Sequence, residues 1–465
     1  MRRSIFHLLE ILCFLVIGLA RPIRAQAPAT SPPPDERFKA DILVVVAHPD
    51  DESIIAGYLA KASLDEHKRI AVVFTTRGDA GQNLVGYEQA GSLAEIREME
   101  ARRALASIGI QNVWFLRGPD TPWLDIPDVL RSLERWNHGD VLGEVVRFMR
   151  LTRPDVVITM LPDVVVGENH EDHQASGVIT TEAFDLAGDP TCFPEQIGEP
   201  EDHLWYANLI EGLHTWQPEK LYYFTDAIHF DFVQGKGPQY SMTEVSPSQH
   251  VSYAQLAAKE ISYHQTQYDG QTEKELESGD LRYYKKPLMF ILAKSLVGGS
   301  ITGDIFEGVV ARPIPFAKVR GYELPKDLEA YSVELGGAWA FYRNFYPAHN
   351  LDSMPQLLAP ELGVGSGQDF SVPLLLYNNT DDAETFDLAT QMPEGWSLDS
   401  NSAQYAHHYI PEKSFLVPSH DYFPVRVRLV APQVSKSEWQ EITWTANVNG
   451  KPTAAAILKV YVETE

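Results

Sequence analysis

The chain has 465 residues, of which 44% are hydrophobic and 22% charged, a composition typical of a folded protein rather than a disordered one. This length predicts two or three domains. The formal net charge of −26 argues against binding to nucleic acid or to an anionic membrane, and favours a neutral substrate.

The N-terminus has the pattern of a secretory signal peptide. Arg2 and Arg3 precede an apolar run at 11–20, which is too short to span a bilayer, and small residues follow at 25–27. We therefore expect residues 1–27 to be a signal peptide. The mature protein is then secreted, periplasmic or held at the cell envelope, with no stable transmembrane segment. An uncleaved anchor is the alternative. The Pro-rich residues 28–39 are predicted to be a linker.

Apolar, β-branched runs alternate with helical patterns through the first two thirds of the chain. Four runs predict strands, at 42–46, 70–74, 112–116 and 155–160, and the first and last of them have the continuous apolar pattern of a buried strand. Amphipathic or helical patterns predict helices at 53–64, 93–109, 141–150 and 251–267. This alternation predicts an α/β fold with a doubly wound, mostly parallel sheet.

The pattern changes near the C-terminus. Short β-rich runs separated by Asn, Asp, Pro and Gly predict a small all-β sandwich at 356–465. Four of these runs are 370–377, 384–391, 423–430 and 454–462. The segment 301–355 is predicted to be a connecting region or an extension of the preceding domain.

The string AHPDDE at 47–52 follows the first predicted strand directly. In open α/β sheets the carboxyl ends of the strands line the ligand crevice, and the turn set by Pro49 can aim His48 and Asp51 at one point. An imidazole nitrogen and a carboxylate oxygen suit Zn²⁺ or another divalent transition metal such as Fe²⁺. Asp50 then remains free to act as a base. An acidic helix N-terminus is the alternative interpretation of this string.

A second polar cluster follows the strand predicted at 155–160. His170 and His173 lie three residues apart at a predicted helix start, and so on neighbouring positions of one face. One of them could bind a metal while the other contacts a substrate. A purely structural alternative is that Asn169 caps the helix and Asp172 completes the cap. The two roles are compatible.

At these residues the chain resembles the PIG-L (LmbE-like) deacetylase family over about residues 40–300. The resemblance rests on AHPDDE at 47–52 and on the His-x-Asp-His string at 170–173. Further similar strings are TRGDAG at 76–81, REMEARRALASIG at 97–109, HTWQPEKLYYF at 214–224 and HQTQ at 264–267. The loop at 162–170 departs from the short Gly-rich approach of the family, which leaves the substrate open. The string MPEGW at 392–396 resembles β domains attached to some bacterial glycosidases.

The resemblance implies a Rossmann-like fold, one divalent metal that is usually zinc, and hydrolysis of the N-acetyl amide of a substrate containing N-acetylglucosamine. Carried over by position, the metal ligands are His48, Asp51 and His173. Asp50 is then the general base and His170 stabilises the oxyanion, while Asp172 orients His170 or tunes its pKa. Arg97 aligns loosely with a substrate-facing position. Two alternatives are an amidase acting on another N-acyl compound and a non-catalytic secreted sugar-binding protein. The oligomeric state is left open.

Overall fold

The computed structural model describes residues 36–122, 127–165, 170–193, 196, 213–227, 232–309, 329–351, 354, 360–398 and 414–464. The predicted signal peptide, most of the predicted linker and the predicted cap Asn169 lie outside these residues. Within the described ranges, no helix is both long enough and apolar enough to cross a bilayer.

The N-terminal part of the chain forms a six-stranded sheet. In chain order its strands and those of a small ribbon are β1 Ile42–Val46, β2 Ile70–Phe74, β3 Asn112–Phe115, β4 Val156–Met160, β5 Lys220–Phe224, β6 Gln239–Tyr240, β7 Leu288–Met289 and β8 Ile291–Ser295. The sheet has the order β3-β2-β1-β4-β5-β8, and β6 pairs only with β7. The first five strands of the sheet are parallel, while β8 runs antiparallel to β5.

The central strand β1 is buried along its whole length because helices cover both faces of the sheet. Leu43 and Val45 face one hydrophobic core, whereas Ile42 and Val44 face the other, as the two-residue period of a strand requires. The predicted Rossmann-like, doubly wound sheet is confirmed.

Eight helices of the described residues accompany this sheet: α1 Ala56–Ala60, α2 Gly91–Ser107, α3 Val129–Arg135, α4 Gly139–Thr152, α5 Glu171–Leu186, α6 Tyr253–Ile261, α7 Gln265–Tyr268 and α8 Gln271–Ser278. The helix predicted at 53–64 is a 3₁₀ turn at Asp51–Ile55, then α1, then a π turn at Lys61–Asp65. The helix predicted at 251–267 is divided into α6 and α7 at the fully buried His264.

The strand order reverses between β1 and β4, since the chain adds β2 and β3 on one side of β1 before crossing to β4 on the other. Such a reversal opens a crevice at the carboxyl ends of the two strands. His48 lies two residues beyond β1, and α5 begins eleven residues beyond β4 with His170 as its N-cap. Both predicted clusters therefore lie at this crevice.

The C-terminal part is a two-layered β structure, as predicted. Its elements are β9 Tyr331–Leu335, α9 Gly337–Ala348, β10 Glu361–Gly365, β11 Asp369–Asn378, β12 Glu384–Gln391, β13 Ser397–Leu398, β14 Ser414–Val417, β15 Asp421–Val430, β16 Glu438–Val448 and β17 Lys451–Glu463. One sheet has the order β10-β17-β16-β12-β14 and the other β13-β15-β11-β9. Alternate residues of β11 are buried between the sheets. Because β9 pairs with β11, part of the segment 301–355 contributes to this sandwich.

Candidate functional site

The turn after β1 is closed by its own hydrogen bonds. The backbone N–H groups of Asp50 and Asp51 donate to the His48 carbonyl oxygen at 2.9 and 3.1 Å. The His48 N–H in turn donates to Asp51 Oδ2 at 2.7 Å. These local bonds therefore help to orient the His48 and Asp51 side chains without a partner from elsewhere in the fold.

Three candidate metal donors meet at the crevice. His173 Nε2 lies 3.1 Å from His48 Nδ1 and 3.1 Å from Asp51 Oδ1. His48 Nδ1 lies 3.5 Å from Asp51 Oδ2. Zinc bonds of about 2.0–2.2 Å to nitrogen and oxygen place tetrahedral donors about 3.3 Å apart. The structure thus brings the three predicted ligands together at separations that fit one small ion.

Two further donor groupings include His48. His170 joins His48 and His173 in a cluster of three imidazoles, and Asp120 and Asp172 lie on the opposite side of the His48 ring. His48 Nε2 is 3.0 Å from Asp120 Oδ1 and 3.5 Å from Asp172 Oδ2. Because a carboxylate behind a ligating imidazole fixes the tautomer and orientation of the ring, these acids fit the role of outer partners.

The outer acids are held by donors of their own. Asp172 Oδ2 accepts from the Thr121 N–H at 2.8 Å, and Asp172 Oδ1 accepts from Ser132 Oγ at 2.5 Å. Asp120 Oδ2 accepts from the Ala80 N–H at 2.6 Å. The Asp172 N–H donates to His170 Nδ1 at 3.2 Å, so Asp172 contacts His170 through its backbone and His48 through its carboxylate.

Asp120 was not predicted from the sequence. It lies five residues beyond the carboxyl end of β3, and the chain reaches it by passing close to β2 at Gly118. A Cβ atom at Gly118 would lie 2.7 Å from the Thr75 carbonyl oxygen, so only glycine allows this approach. The rule that directed attention to residues after β1 and β4 would also have pointed here, because Asp120 is an acid following a parallel strand.

The electrostatics of the site favour a cation. Burial opposes protonation of His48, but the Asp51 and Asp120 carboxylates raise the pKa of its imidazole well above the usual value. Burial likewise acts against ionisation of Asp51, yet His173 and His48 hold the pKa of that carboxyl well below its usual range. Ionised carboxylates held beside imidazole nitrogens are a donor set suited to a divalent metal ion.

Asp50 forms an ion pair with Arg97 of α2. Its Oδ1 accepts from an Arg97 guanidinium N–H at 3.0 Å, and the same guanidinium donates to the Gly78 carbonyl oxygen at 2.6 Å. Burial raises the pKa of Asp50, while Arg97 opposes that rise. Gly78 has a φ of 68°, and a Cβ atom there would lie 2.4 Å from the guanidinium, so the glycine makes room for Arg97. Arg97 is thus in the site, directly against the predicted base.

His170 is the N-cap of α5 in place of the predicted Asn169. Its Nδ1 accepts the Asp172 N–H, which leaves Nε2 as the protonated nitrogen of the neutral ring. Burial, followed by the positive charge of His48 and His173, lowers the pKa of His170 well below the usual value. The ring lies against His48, with 4.5 Å between the two ring centroids.

A fully buried cluster lies directly behind the AHPDDE turn. His264 Nε2 is 3.2 Å from Glu52 Oε1, and Ser53 Oγ donates to Glu260 Oε2 at 2.8 Å. Burial raises the pKa of Glu52 to about 8, although the imidazole opposes that rise. The sequence drew attention to HQTQ at 264–267 without assigning a role to it. The structure shows that its histidine joins the end of α6 to the turn.

An apolar cavity of about 260 Å³ adjoins the turn. Ser53 and Ile54, which lie two and three residues after Asp51, form part of its wall. The remaining wall contains the end of β5, α6, two tyrosines and two methionines; those tyrosines and methionines are Met242, Tyr283, Tyr284 and Met289. Burial, followed by Asp50, Tyr283 and Asp51, raises the pKa of the Tyr268 phenol well above its usual value.

Residues 43–184 match the family model described as PIG-L, GlcNAc-PI de-N-acetylase. A relative from Frankia casuarinae, named 1D-myo-inositol 2-acetamido-2-deoxy-alpha-D-glucopyranoside deacetylase 1, is 28% identical over 306 residues, covering 58% of this chain and 95% of the relative. A similarly named deacetylase from Tsukamurella paurometabola is 33% identical over 167 residues, covering 31% of this chain and 55% of the relative.

Among solved structures, the N,N'-diacetylchitobiose deacetylase from Pyrococcus horikoshii aligns with 54% of this chain and 83% of that protein, at 19% identity and a TM-score of 0.39. The chain spans little more than half the length of several of the relatives it matches. All these matches are statements of similarity.

Proposed function

We propose that the protein, whose residues 43–184 match the PIG-L family model, is a metal-dependent hydrolase of the N-acetyl amide in a substrate containing N-acetylglucosamine. The products are acetate and a free amine. The observation that carries the proposal is the meeting of His48, Asp51 and His173 at 3.1–3.5 Å, with Asp50 adjacent, at the switch point of the sheet. The names of the relatives, which describe deacetylation of an acetamido sugar, support the substrate class.

The donor set fits zinc, with Fe²⁺ as the alternative. His48, Asp51 and His173 would hold the ion, and Asp120 and Asp172 would orient His48. When bound, such an ion supplies Lewis-acid polarisation of an amide carbonyl and lowers the pKa of water. Through their contacts with His48 Nε2, the two aspartates would keep His48 Nδ1 directed at the ion, as a metal ligand requires.

Asp50 is the proposed general base. Its carboxylate takes a proton from water as the water oxygen bonds to the amide carbon, and it returns that proton to the nitrogen as the C–N bond breaks. Burial raises the pKa of Asp50, which favours holding the proton between these two steps. Arg97 fixes one carboxylate oxygen at 3.0 Å, so we propose that it positions the base as well as facing the substrate.

His170 is the proposed donor to the oxyanion that forms on the carbonyl oxygen. Because its Nδ1 accepts a backbone N–H, its Nε2–H can donate while the ring remains neutral. Removal of one such donor typically costs about 10²–10³ in rate. Asp172 supports this role through its own backbone N–H, in addition to its contact with His48.

An amidase acting on a different N-acyl compound is the second candidate, and the apolar cavity beside the turn favours it. Its wall of methionine, tyrosine and isoleucine side chains would bind an apolar acyl chain or an apolar group attached to the sugar.

The decisive test is carboxylate release by the purified protein from a panel of N-acyl amides. The panel contains N-acetylglucosamine, its inositol-linked and alkyl-linked derivatives, and glucosamine carrying longer acyl chains. We expect zinc-dependent acetate release from at least one N-acetylated sugar, lost after chelation and restored by added zinc.

Faster hydrolysis of longer acyl chains than of acetyl would favour the second candidate. Sugar binding without metal binding and without hydrolysis would contradict both candidates, and would leave the protein as a sugar-binding module.

We further propose that the protein is exported and acts outside the cytoplasm or at the envelope. The support is the basic start, short apolar run and small residues of the segment 1–27. Expressed as the full chain in a Gram-negative host, the protein is expected in the periplasm or medium with a new N-terminus near residue 28. Intact chain in the membrane fraction would favour an anchor, and intact chain in the cytoplasm would contradict export.

A further inference from the structure

Helix α9 joins the β-sandwich to the domain that carries the site. It follows β9 of the sandwich after one residue and presents buried aromatic side chains at a helical spacing. These side chains are Trp339, Tyr342, Phe345 and Tyr346. They belong to one continuous hydrophobic core that includes strands of the sandwich as well as β1, β4 and α5. The helix is therefore a packed element and not a tether.

One hydroxyl of α9 is bonded to the chain immediately after β4. Tyr346 donates to the Pro162 carbonyl oxygen at 2.8 Å and is also hydrogen-bonded to the Asp163 carboxylate. Tyr346 and Asp163 are both buried. Pro162 and Asp163 begin the segment that leaves β4 and leads to His170. The tyrosine thus holds the first part of that segment.

A second hydroxyl of α9 is bonded to the start of α5. Tyr342 donates to Gln174 Oε1 at 3.2 Å, and Gln174 directly follows the candidate ligand His173. The far end of α5 is held as well, because His349 Nδ1 lies 2.7 Å from Asp185 Oδ2. Both ends of the connection that presents His170 and His173 are therefore tied to α9.

The position of this connection matters because it places His170 and His173 beside His48 and Asp51, which follow β1. Catalytic and metal-binding groups must be held within about 0.5 Å of the productive geometry, by side chains that are themselves fixed. A misplacement of about 1 Å can lower the rate by about 10²-fold. Among the described residues, side chains of α9 form hydrogen bonds to Pro162, Asp163 and Gln174 from outside the sheet domain.

We propose that Tyr342 and Tyr346 are positioning residues for His173 and His170, and that α9 with its sandwich is part of the catalytic unit. This inference rests on the proposed metal ligation by His173. The C-terminal unit then contributes to the site by holding the β4–α5 connection, with no requirement that it bind sugar.

The test compares Tyr342→Phe, Tyr346→Phe and the double variant in the full chain. Tyr331→Phe is the matched control, because it removes a hydroxyl that donates to Glu384 within the sandwich at a similar 3.2 Å. Each protein is titrated with Co²⁺, and the visible spectrum, the apparent Co²⁺ affinity, kcat and KM are measured. Thermal unfolding is followed in parallel.

We expect Co²⁺ affinity to fall by about 10–100-fold in the double variant, as is typical when outer partners of a metal site are lost. We also expect an altered Co²⁺ spectrum, and a lower kcat with little change in KM. Tyr331→Phe should match the wild type in all of these. A lower unfolding temperature with unchanged Co²⁺ affinity and spectrum would overturn the proposal, since it would leave α9 with a purely stabilising role.

The single Tyr342→Phe variant, which removes one neutral hydrogen bond, keeps the test available if Tyr346→Phe fails to fold. A wild-type protein that binds no Co²⁺ would overturn the proposal together with the metal ligation. A wild-type protein that binds Co²⁺ and hydrolyses none of the amides would contradict the proposed function, while the Co²⁺ comparison would still decide the role of the two tyrosines.

Discussion

Replacing Asp50 with Asn is expected to lower kcat by about 10²–10⁴-fold, the usual contribution of a positioned general base. Asn keeps the shape of the side chain but cannot take a proton from water at neutral pH. The loss corresponds to about 3–5 kcal/mol of transition-state stabilisation. Steady-state kinetics on the best substrate of the panel, with the metal content measured in the same sample, would check it.

The metal content of Asp50→Asn distinguishes a general base from a metal ligand. Because Asp50 is paired with Arg97 and is not one of the three proposed ligands, Asp50→Asn should retain the metal. Asp381→Asn is the matched control, since this acid is exposed and pairs with His420 on the sandwich. Unchanged turnover in Asp50→Asn would remove the base from the mechanism. Loss of the metal would instead identify Asp50 as part of the ligand set.

Replacing His173 with Ala is expected to abolish both stable metal binding and hydrolysis. His173 Nε2 lies 3.1 Å from two other donors, so its removal leaves an incomplete set. Even loss of an outer partner typically costs about 10–100-fold in metal affinity, and loss of a ligand should cost at least that. Elemental analysis after dialysis, together with acetate release at saturating zinc, would measure the two effects.

His138→Ala is the matched control for this experiment. His138 pairs with Glu182 on the outer part of α5, and its side chain is 40% exposed. Its loss should leave metal binding and kcat near the wild-type values, with a small change in thermal stability. If His173→Ala bound zinc as tightly as the wild type, the ion would have to lie elsewhere, and the grouping of His48 with Asp120 and Asp172 would be the next candidate.

The buried cluster behind the turn shows how the wider fold supports the site. Glu52 adjoins a candidate ligand, yet its partner His264 comes from beyond α6, more than 200 residues later. Buried acids of this kind are stabilised only when a partner is placed against them. In the sequence, Glu52 and His264 belong to two separate strings, AHPDDE and HQTQ, and only the tertiary structure shows that they are in contact.

Much of the sheet domain followed from local patterns. Continuous β-branched runs predicted buried strands, and their alternation with helices predicted the parallel order, because each signal depends on a few consecutive residues. The same holds for the two clusters after β1 and β4. The carboxyl ends of parallel strands lie at one edge of a sheet, so both clusters were expected at the ligand crevice, while the choice of His48, Asp51 and His173 as ligands came from the family resemblance.

Other contacts were beyond any local pattern. The sequence did not indicate that Asp120 would lie 3.0 Å from His48, or that Asp50 would be held by Arg97. It left the segment 301–355 without a structure, whereas β9 pairs with β11 and α9 packs on the β4–α5 connection. Periodicity reports which face of an element is buried, but it carries no information on which element covers that face. The sequence by itself therefore determined the strands and their parallel arrangement and, through the family resemblance, the candidate ligands, while long-range packing decided the partners that orient them.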